Sequence, residues 1–169
     1  DVLSRAEAIA HDRDRGAAEL ALDLLPLLDE ALSQGPDATL GVARVVCQGQ
    51  PAMAPLWHAC AAAVWEHEHP GTFARVRAEI ARAPAALARA ASLSLRDLLQ
   101  GSASPRILTL SFSSSVLQAL RPVSTEVPLH VVCGEGRPRF EGRRLAAALA
   151  ESAIAVTLTS LGGCRRTEQ

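Results

Sequence analysis

Two loops in the last third of the chain carry side chains suited to holding an anion. The first follows Arg106-Ile-Leu-Thr-Leu-Ser111 and reads Phe112-Ser-Ser-Ser115, so Ser111, Ser113 and Ser114 stand close together. The second follows Leu129-His-Val-Val-Cys133 and places Arg137, Arg139, Arg143 and Arg144 around Glu141 and Gly142. Serine hydroxyls donate and accept hydrogen bonds, and a guanidinium fork matches phosphate or carboxylate. Four cations at the start of a helix oppose its dipole by about 0.3–1 kcal/mol each. That misfit points to an anion among them, met also by free backbone N–H groups. Two plainer readings stand beside this one. A serine just before a helix is a favoured cap, and the arginines suit a solvated face or a partner's carboxylates.

Other constellations are weaker. Arg15 with Gly16 and Ala17 opens a helical stretch; Arg15 either binds phosphate or pairs with Asp12 or Asp14. His58, His67 and His69 with Cys60, Glu66 and Glu68 invite a metal, but helix positions two apart diverge, so no metal site is expected. No G-x-S-x-G elbow marks a hydrolase, and Gly134-Glu-Gly136 lacks the third glycine of a dinucleotide loop. No cofactor is implied.

The 169 residues suit one domain, or a helical module followed by a small sheet module. Hydrophobic residues at 49% against 21% charged place the chain among folding sequences. With a formal charge of −1, and every strong cation an arginine, it offers no electrostatic case for nucleic acid. Cys47, Cys60, Cys133 and Cys164 form no CxxC pair, which suits reduced thiols. No leader-like segment and no membrane-length apolar run occur, so a cytoplasmic protein without membrane contact is expected.

The elements that must position the loops follow from periodicity. Ala17, Leu20, Ala21, Leu24, Leu28 and Ala31 recur at helical spacing, with Pro26 expected to kink or shorten that helix. Gly35-Pro36 stops it and Asp37 is placed to cap the next. Pro55 begins a helix that ends near His69-Pro70-Gly71, and a longer one from Thr72 to Leu99 is expected to divide at Pro84. Residues 101–105 read as a linker between a helical domain, 1–100, and an α/β domain, 106–160, with a tail at 161–169. In the second domain two strand–loop–helix units and a third apolar run, Ile154-Ala-Val-Thr-Leu158, imply a parallel sheet, with the second helix starting at Arg144. Ligands of such sheets lie at the carboxyl ends of the strands. Three strands alone leave an exposed edge and an unfinished helical layer, so a partner or further chain is expected to cover them.

Several segments resemble the regulatory subunits of translation initiation factor 2B. Ile107-Leu-Thr-Leu-Ser-Phe-Ser-Ser-Ser-Val-Leu117 resembles that family's "LTHSxSSTVL" block, and Glu135-Gly-Arg-Pro-Arg-Phe-Glu-Gly-Arg-Arg-Leu145 its "ExRPxxxGxxLA" block. Ile154-Ala-Val-Thr-Leu158 resembles "GIPVTL", Arg15-Gly-Ala17 with Glu19-Leu-Ala21 resembles "RGAxxLA", and Gln50-Pro-Ala-Met-Ala-Pro-Leu-Trp57 resembles "RPxMxPL". The matches run in order from about residue 13 to 160. The superfamily includes methylthioribose-1-phosphate isomerase and ribose-1,5-bisphosphate isomerase. The resemblance implies a helical N-terminal domain followed by a Rossmann-like domain, here truncated to a three-stranded parallel sheet, and association into oligomers.

In the isomerases of that superfamily a cysteine after the first strand and an aspartate further along carry the chemistry, while two arginines and a glutamine hold the substrate. By this resemblance the cysteine position is Ser111, the arginines are Arg15 and Gln50, and the glutamine is Glu141. The aspartate belongs to a later "GAD" block that is not in this sequence, and Leu161 stands where another aspartate ends the third strand. Serine lacks thiolate character near neutral pH, glutamine cannot neutralise phosphate, and glutamate repels it. Loss of a general acid/base carboxylate removes roughly 10²–10⁴-fold in rate. The expected function is therefore noncatalytic: binding of a phosphorylated sugar or nucleotide, association with a second copy or a related subunit, or both. One alternative is an aldose–ketose isomerase completed by residues outside this chain. The other is a structural module without ligand.

Overall fold

The computed structural model describes residues 1–160; the expected tail, with Leu161 and Cys164, lies outside the described residues. The chain forms two compact units that divide between Pro84 and Ala85. The first is helical: α1 (Val2–His11), α2 (Ala17–Gln34), α3 (Pro36–Gly49), α4 (Ala54–Glu66) and the first half of α5 (Thr72–Leu99). The second holds the rest of α5, then β1 (Arg106–Thr109), α6 (Ser114–Ser124), β2 (His130–Gly134), α7 (Glu141–Glu151) and β3 (Ala155–Thr159).

The helical unit closes over one leucine-rich core. Val2, Ala6 and Ile9 of α1 meet Leu20, Leu24, Leu27 and Leu28 of α2, Val42 and Val46 of α3, and Leu56 and Cys60 of α4. Pro26 sits inside α2, which runs unbroken for 18 residues. An interior proline costs about 3 kcal/mol, but each buried leucine returns roughly 1.5–3 kcal/mol, and buried side chains lie on both sides of Pro26. The expected division at Pro84 does not occur: α5 runs through it as one helix of 28 residues. Alanines flank that proline, and the helix is anchored at one end by Phe73, Val76 and Ile80 and at the other by Leu95 and Leu99. The boundary between the units falls inside α5 rather than at residues 101–105, which form the turn into β1. Asp37 is not the cap of α3; Gly35 is, with Pro36 at the helix start and Asp37 in the first turn, where its charge suits the dipole.

In the second unit the three strands are parallel, in the order β1-β2-β3. Ile107 lies opposite Val131, which lies opposite Val156, and Thr109 lies opposite Cys133, which lies opposite Leu158. Leu117, Leu120 and Val123 of α6, with Leu145 and Leu149 of α7, share a core with Ile107, Val131, Cys133 and Val156. Both crossover helices therefore cover one face, as right-handed connections between consecutive neighbouring strands require. The alternate positions face the other way, and there Leu108 is exposed and Val132 only partly covered. His130 Nε2 and Thr157 Oγ1 meet across that open face at 2.8 Å. Parallel sheets are normally covered on both faces; this one has a single layer among the described residues.

Candidate functional site

The carboxyl ends of β1 and β2 bring the serine and arginine loops to one rim. After β1 the chain passes through Ser111, which is exposed, and half-buried Phe112. Ser113 is the N-cap of α6, its hydroxyl oxygen accepting from Val116 N at 3.3 Å. One of the candidate serines is thus spent on the helix, as the capping preference of serine favours.

After β2 the backbone is tightly fixed. Glu135 N donates to Thr159 O at 2.8 Å, extending the β2–β3 ladder, and Glu135 O accepts from Gly142 N at 3.2 Å. Gly142 has no alternative here: a Cβ on it would lie 1.7 Å from Gly134 O. The turn between them closes with Phe140 N on Gly136 O at 2.6 Å. Phe140 is left-handed, at φ 58°, an arrangement costing about 1–3 kcal/mol that the surrounding contacts must hold. Helix α7 then begins at Glu141, three residues before the expected Arg144. Arg143 and Arg144 consequently lie in its first turn, and the Glu141 carboxylate offsets part of their misfit with the dipole.

The anion among these arginines is internal. Glu135, with a side chain only 10% exposed, accepts from Arg143 Nε at 2.9 Å through Oε1 and from Arg137 Nε at 3.2 Å through Oε2. Arg143 Nη2 donates to Oε1 as well. Hydrogen bonding from Arg143 first, then from Arg137, holds the Glu135 carboxyl below the usual range for glutamate. The Phe140 ring lies 4.3 Å from the Arg143 guanidinium and 5.8 Å from that of Arg137, so one aromatic ring contacts both cations. Arg144 stacks over Phe112 at 4.0 Å, and this contact ties the β1 loop to the start of α7. Sequence reasoning missed Glu135, Phe112 and Phe140 as parts of the site. The available signal was a carboxylate at the strand end, two residues before Arg137 and eight before Arg143.

The remaining candidates, Arg15, Gly16, Ala17 and Gln50, gather in the helical unit around Asp12. Asp12 Oδ1 accepts from Asp14 N and Arg15 N, each at 2.9 Å, and Oδ2 accepts from Arg15 Nε at 2.9 Å. Arg15 also pairs with Asp23. The backbone N–H of Arg15, followed by its side chain, lowers the Asp12 carboxyl from 3.8 to about 2. Gln50 is buried, and its Nε2 donates to the carbonyls of Ile9 (3.0 Å), Ala10 (3.3 Å) and Asp12 (2.6 Å) at the end of α1. Gly16 is the N-cap of α2 and Ala17 its first residue. Gly49 permits the close approach beneath, since a Cβ there would lie 2.5 Å from Ala10 Cβ. Of the two readings for Arg15, this geometry takes the ion pair.

The histidine cluster is dispersed. His67 Nε2 meets Thr39 Oγ1 at 3.1 Å, His69 stacks on Trp65, and Glu66 accepts from Gly71 N and Phe73 N. Among the described residues no three His, Cys, Asp or Glu side chains are grouped to hold a metal. No helix among them is long and apolar enough to cross a membrane. Burial raises the Cys47 and Cys60 thiols, which line a groove of about 560 Å³ between α3 and α4; none of the candidate phosphate-binding residues lines it.

The sequence profile of the initiation factor 2 subunit family matches residues 74–161, more than half of the chain. The chain belongs to that family. The matched span contains β1, β2, β3 and both rim loops, so the arginine–serine rim is the family segment itself. A crystal structure described as the translation initiation factor eIF-2B of Pyrococcus horikoshii OT3 is similar in fold, with a TM-score of 0.72 and 23% identity. The likeness covers 94% of this chain and 59% of that one, so the chain spans well under two thirds of its structural relative. No curated protein sequence matches the chain.

Proposed function

We propose that this member of the initiation factor 2 subunit family is noncatalytic, and that its α/β unit binds a small phosphorylated metabolite at the rim of β1 and β2. The observation that carries the reading is the pair Arg137 and Arg143, both largely exposed, backed by Phe140 and joined to the serine loop through Arg144 and Phe112. A phosphorylated sugar or nucleotide suits it, because guanidinium forks take phosphate and the adjoining Ser111 and Ser114 offer hydroxyls to a sugar. Ser111 stands at the cysteine position of the related isomerases, where a hydroxyl is a far weaker nucleophile and acid than a thiol. The open face of the sheet, with Leu108 57% exposed, favours action through association with a second copy or a related subunit. The reading places the protein in the cytoplasm and needs no cofactor.

Thermal denaturation with ribose 1,5-bisphosphate, methylthioribose 1-phosphate and a nucleoside monophosphate tests it. A ligand at 100 times its Kd stabilises by about 2.7 kcal/mol. The expected outcome is a rise in midpoint that Arg143→Gln removes, with no isomerised product. Turnover of either sugar phosphate would overturn the noncatalytic part and favour an isomerase. The 59% coverage of the structural relative gives that second reading its support, since further chain would carry the missing carboxylate. No rise with any phosphate would leave a structural module.

A further inference from the structure

We propose that Glu135 is a built-in competitor at the arginine rim and the residue that sets its selectivity: a ligand enters by displacing this carboxylate from Arg143 and Arg137, so the rim takes dianions and refuses monoanions. The inference rests on the anion-binding reading of the rim and adds how that site discriminates. Its ground is the ratio of charges. Two guanidiniums share one carboxylate, each of whose oxygens accepts from a different arginine. The Glu135 backbone is pinned on both sides, to Thr159 and to Gly142, so the carboxylate is held beside the arginines at high effective concentration. A free monocarboxylate repeats the interaction Glu135 already makes and gains nothing by exchange. A phosphate dianion brings a second charge and a third oxygen to the same two forks. Glu135 is the residue after β2, and the Arg143 side chain is 57% exposed, so an incoming anion reaches that guanidinium from solvent while Glu135 still holds it. Phe140, against both guanidiniums, keeps them in place when the carboxylate leaves.

Inorganic phosphate and acetate, titrated at pH 8 into the full chain and into Glu135→Gln, test the proposal by calorimetry. Glu135→Ala replaces the glutamine variant if circular dichroism shows that the latter does not fold. The expected result is phosphate binding without acetate binding in the unmodified chain. In the variant, phosphate should bind at least ten-fold tighter and acetate should now bind. A residue that served only to brace the start of α7 would lower thermal stability without altering this preference. If phosphate binds the unmodified chain, is lost in Arg143→Gln, and is no tighter in the Glu135 variants, the competitor role is overturned and the site stands. If phosphate binds neither the unmodified chain nor the Glu135 variants, the anion-site reading falls, and this proposal with it.

Discussion

The Asp12 cluster and the Glu135 cluster are built from the same groups in opposite proportion. In the helical unit one arginine, Arg15, lies between two carboxylates, Asp12 and Asp23. In the α/β unit one carboxylate, Glu135, lies between two arginines. Asp12 is further saturated by two backbone N–H groups, and Gln50 beside it spends its amide on three carbonyls. The first arrangement has cation capacity used up and behaves as a clamp on the end of α1. The second has positive charge in excess of its internal partner, held at a strand end. The difference lies in the local balance of partners, which the motif position of a residue does not reveal.

The clamp and the rim each rest on a glycine, and substituting those glycines should produce the largest effects. Gly142→Ala forces a Cβ to 1.7 Å from Gly134 O and 2.7 Å from Gly134 C, atoms of the backbone that cannot swing aside. A loss of about 3 kcal/mol or more is expected, measured by chemical denaturation. Gly49→Ala brings a Cβ to 2.5 Å from Ala10 Cβ and 2.6 Å from Ala10 O, where helix α3 can shift slightly, so about 2–3 kcal/mol is expected. Trp57 and Trp65, both in the helical unit, report the second transition by fluorescence. A Gly142→Ala protein as stable as the parent would show that α7 does not sit against β2 in this way, and the rim geometry would fail.

A middle-sized effect separates clamp from rim directly. Gln50→Ala removes the donor that the carbonyls of Ile9, Ala10 and Asp12 share and leaves them only Asp12 N and Arg13 Nη1, which should cost about 1–2 kcal/mol. Arg143→Gln removes a largely exposed arginine from Glu135, which keeps Arg137, and should cost less than Gln50→Ala. The same two variants should reverse order in phosphate binding, which Arg143→Gln removes and Gln50→Ala leaves intact. If Gln50→Ala is neutral in denaturation, Gln50 is available for a ligand and the contrast collapses.

Much of the α/β unit was legible because its signals are local. The β1 run was read from Arg106 and the strand begins there; β2 and β3 begin one residue later than their apolar runs. The start of α7 was not legible, since it depends on a left-handed Phe140 held by Gly136 O, a conformation no propensity favours. A kink or early end at Pro26 is what local cost alone suggests; the leucines buried on both sides of it offset that cost, whereas α5 passes Pro84 among exposed alanines and no burial there explains it. The arginine loop was legible as a cluster of cations, but its internal partner Glu135, at the end of the strand, was not. Gln50 was hardest of all: its three acceptors lie 38 to 41 residues away, and nothing near it in sequence announces a helix end.

The smallest expected effect is also the sharpest test of the clamp. Asp12, with its carboxyl lowered from 3.8 to about 2, favours the folded state only when ionised. Its contribution is fully present above pH 3.8 and is lost as pH falls from there through about 2. Asp12→Asn keeps an oxygen for the N–H groups of Asp14 and Arg15, and removes both the charge and the oxygen that accepts from Arg15 Nε. The gap in thermal midpoint between parent and variant should therefore be constant above about pH 5 and close on acidification toward pH 2. Partial exposure of both partners limits it to about 1 kcal/mol or less. Asp23, the second partner of Arg15, is exposed and remains in the variant, so the gap reports the ionised Asp12 with its backbone and Arg15 donors, not the Asp23 pair. A gap of zero at pH 7 would mean that Arg15 is not committed to Asp12. Arg15 would then join Arg143 as a cation open to exchange, and the two clusters would differ in position only.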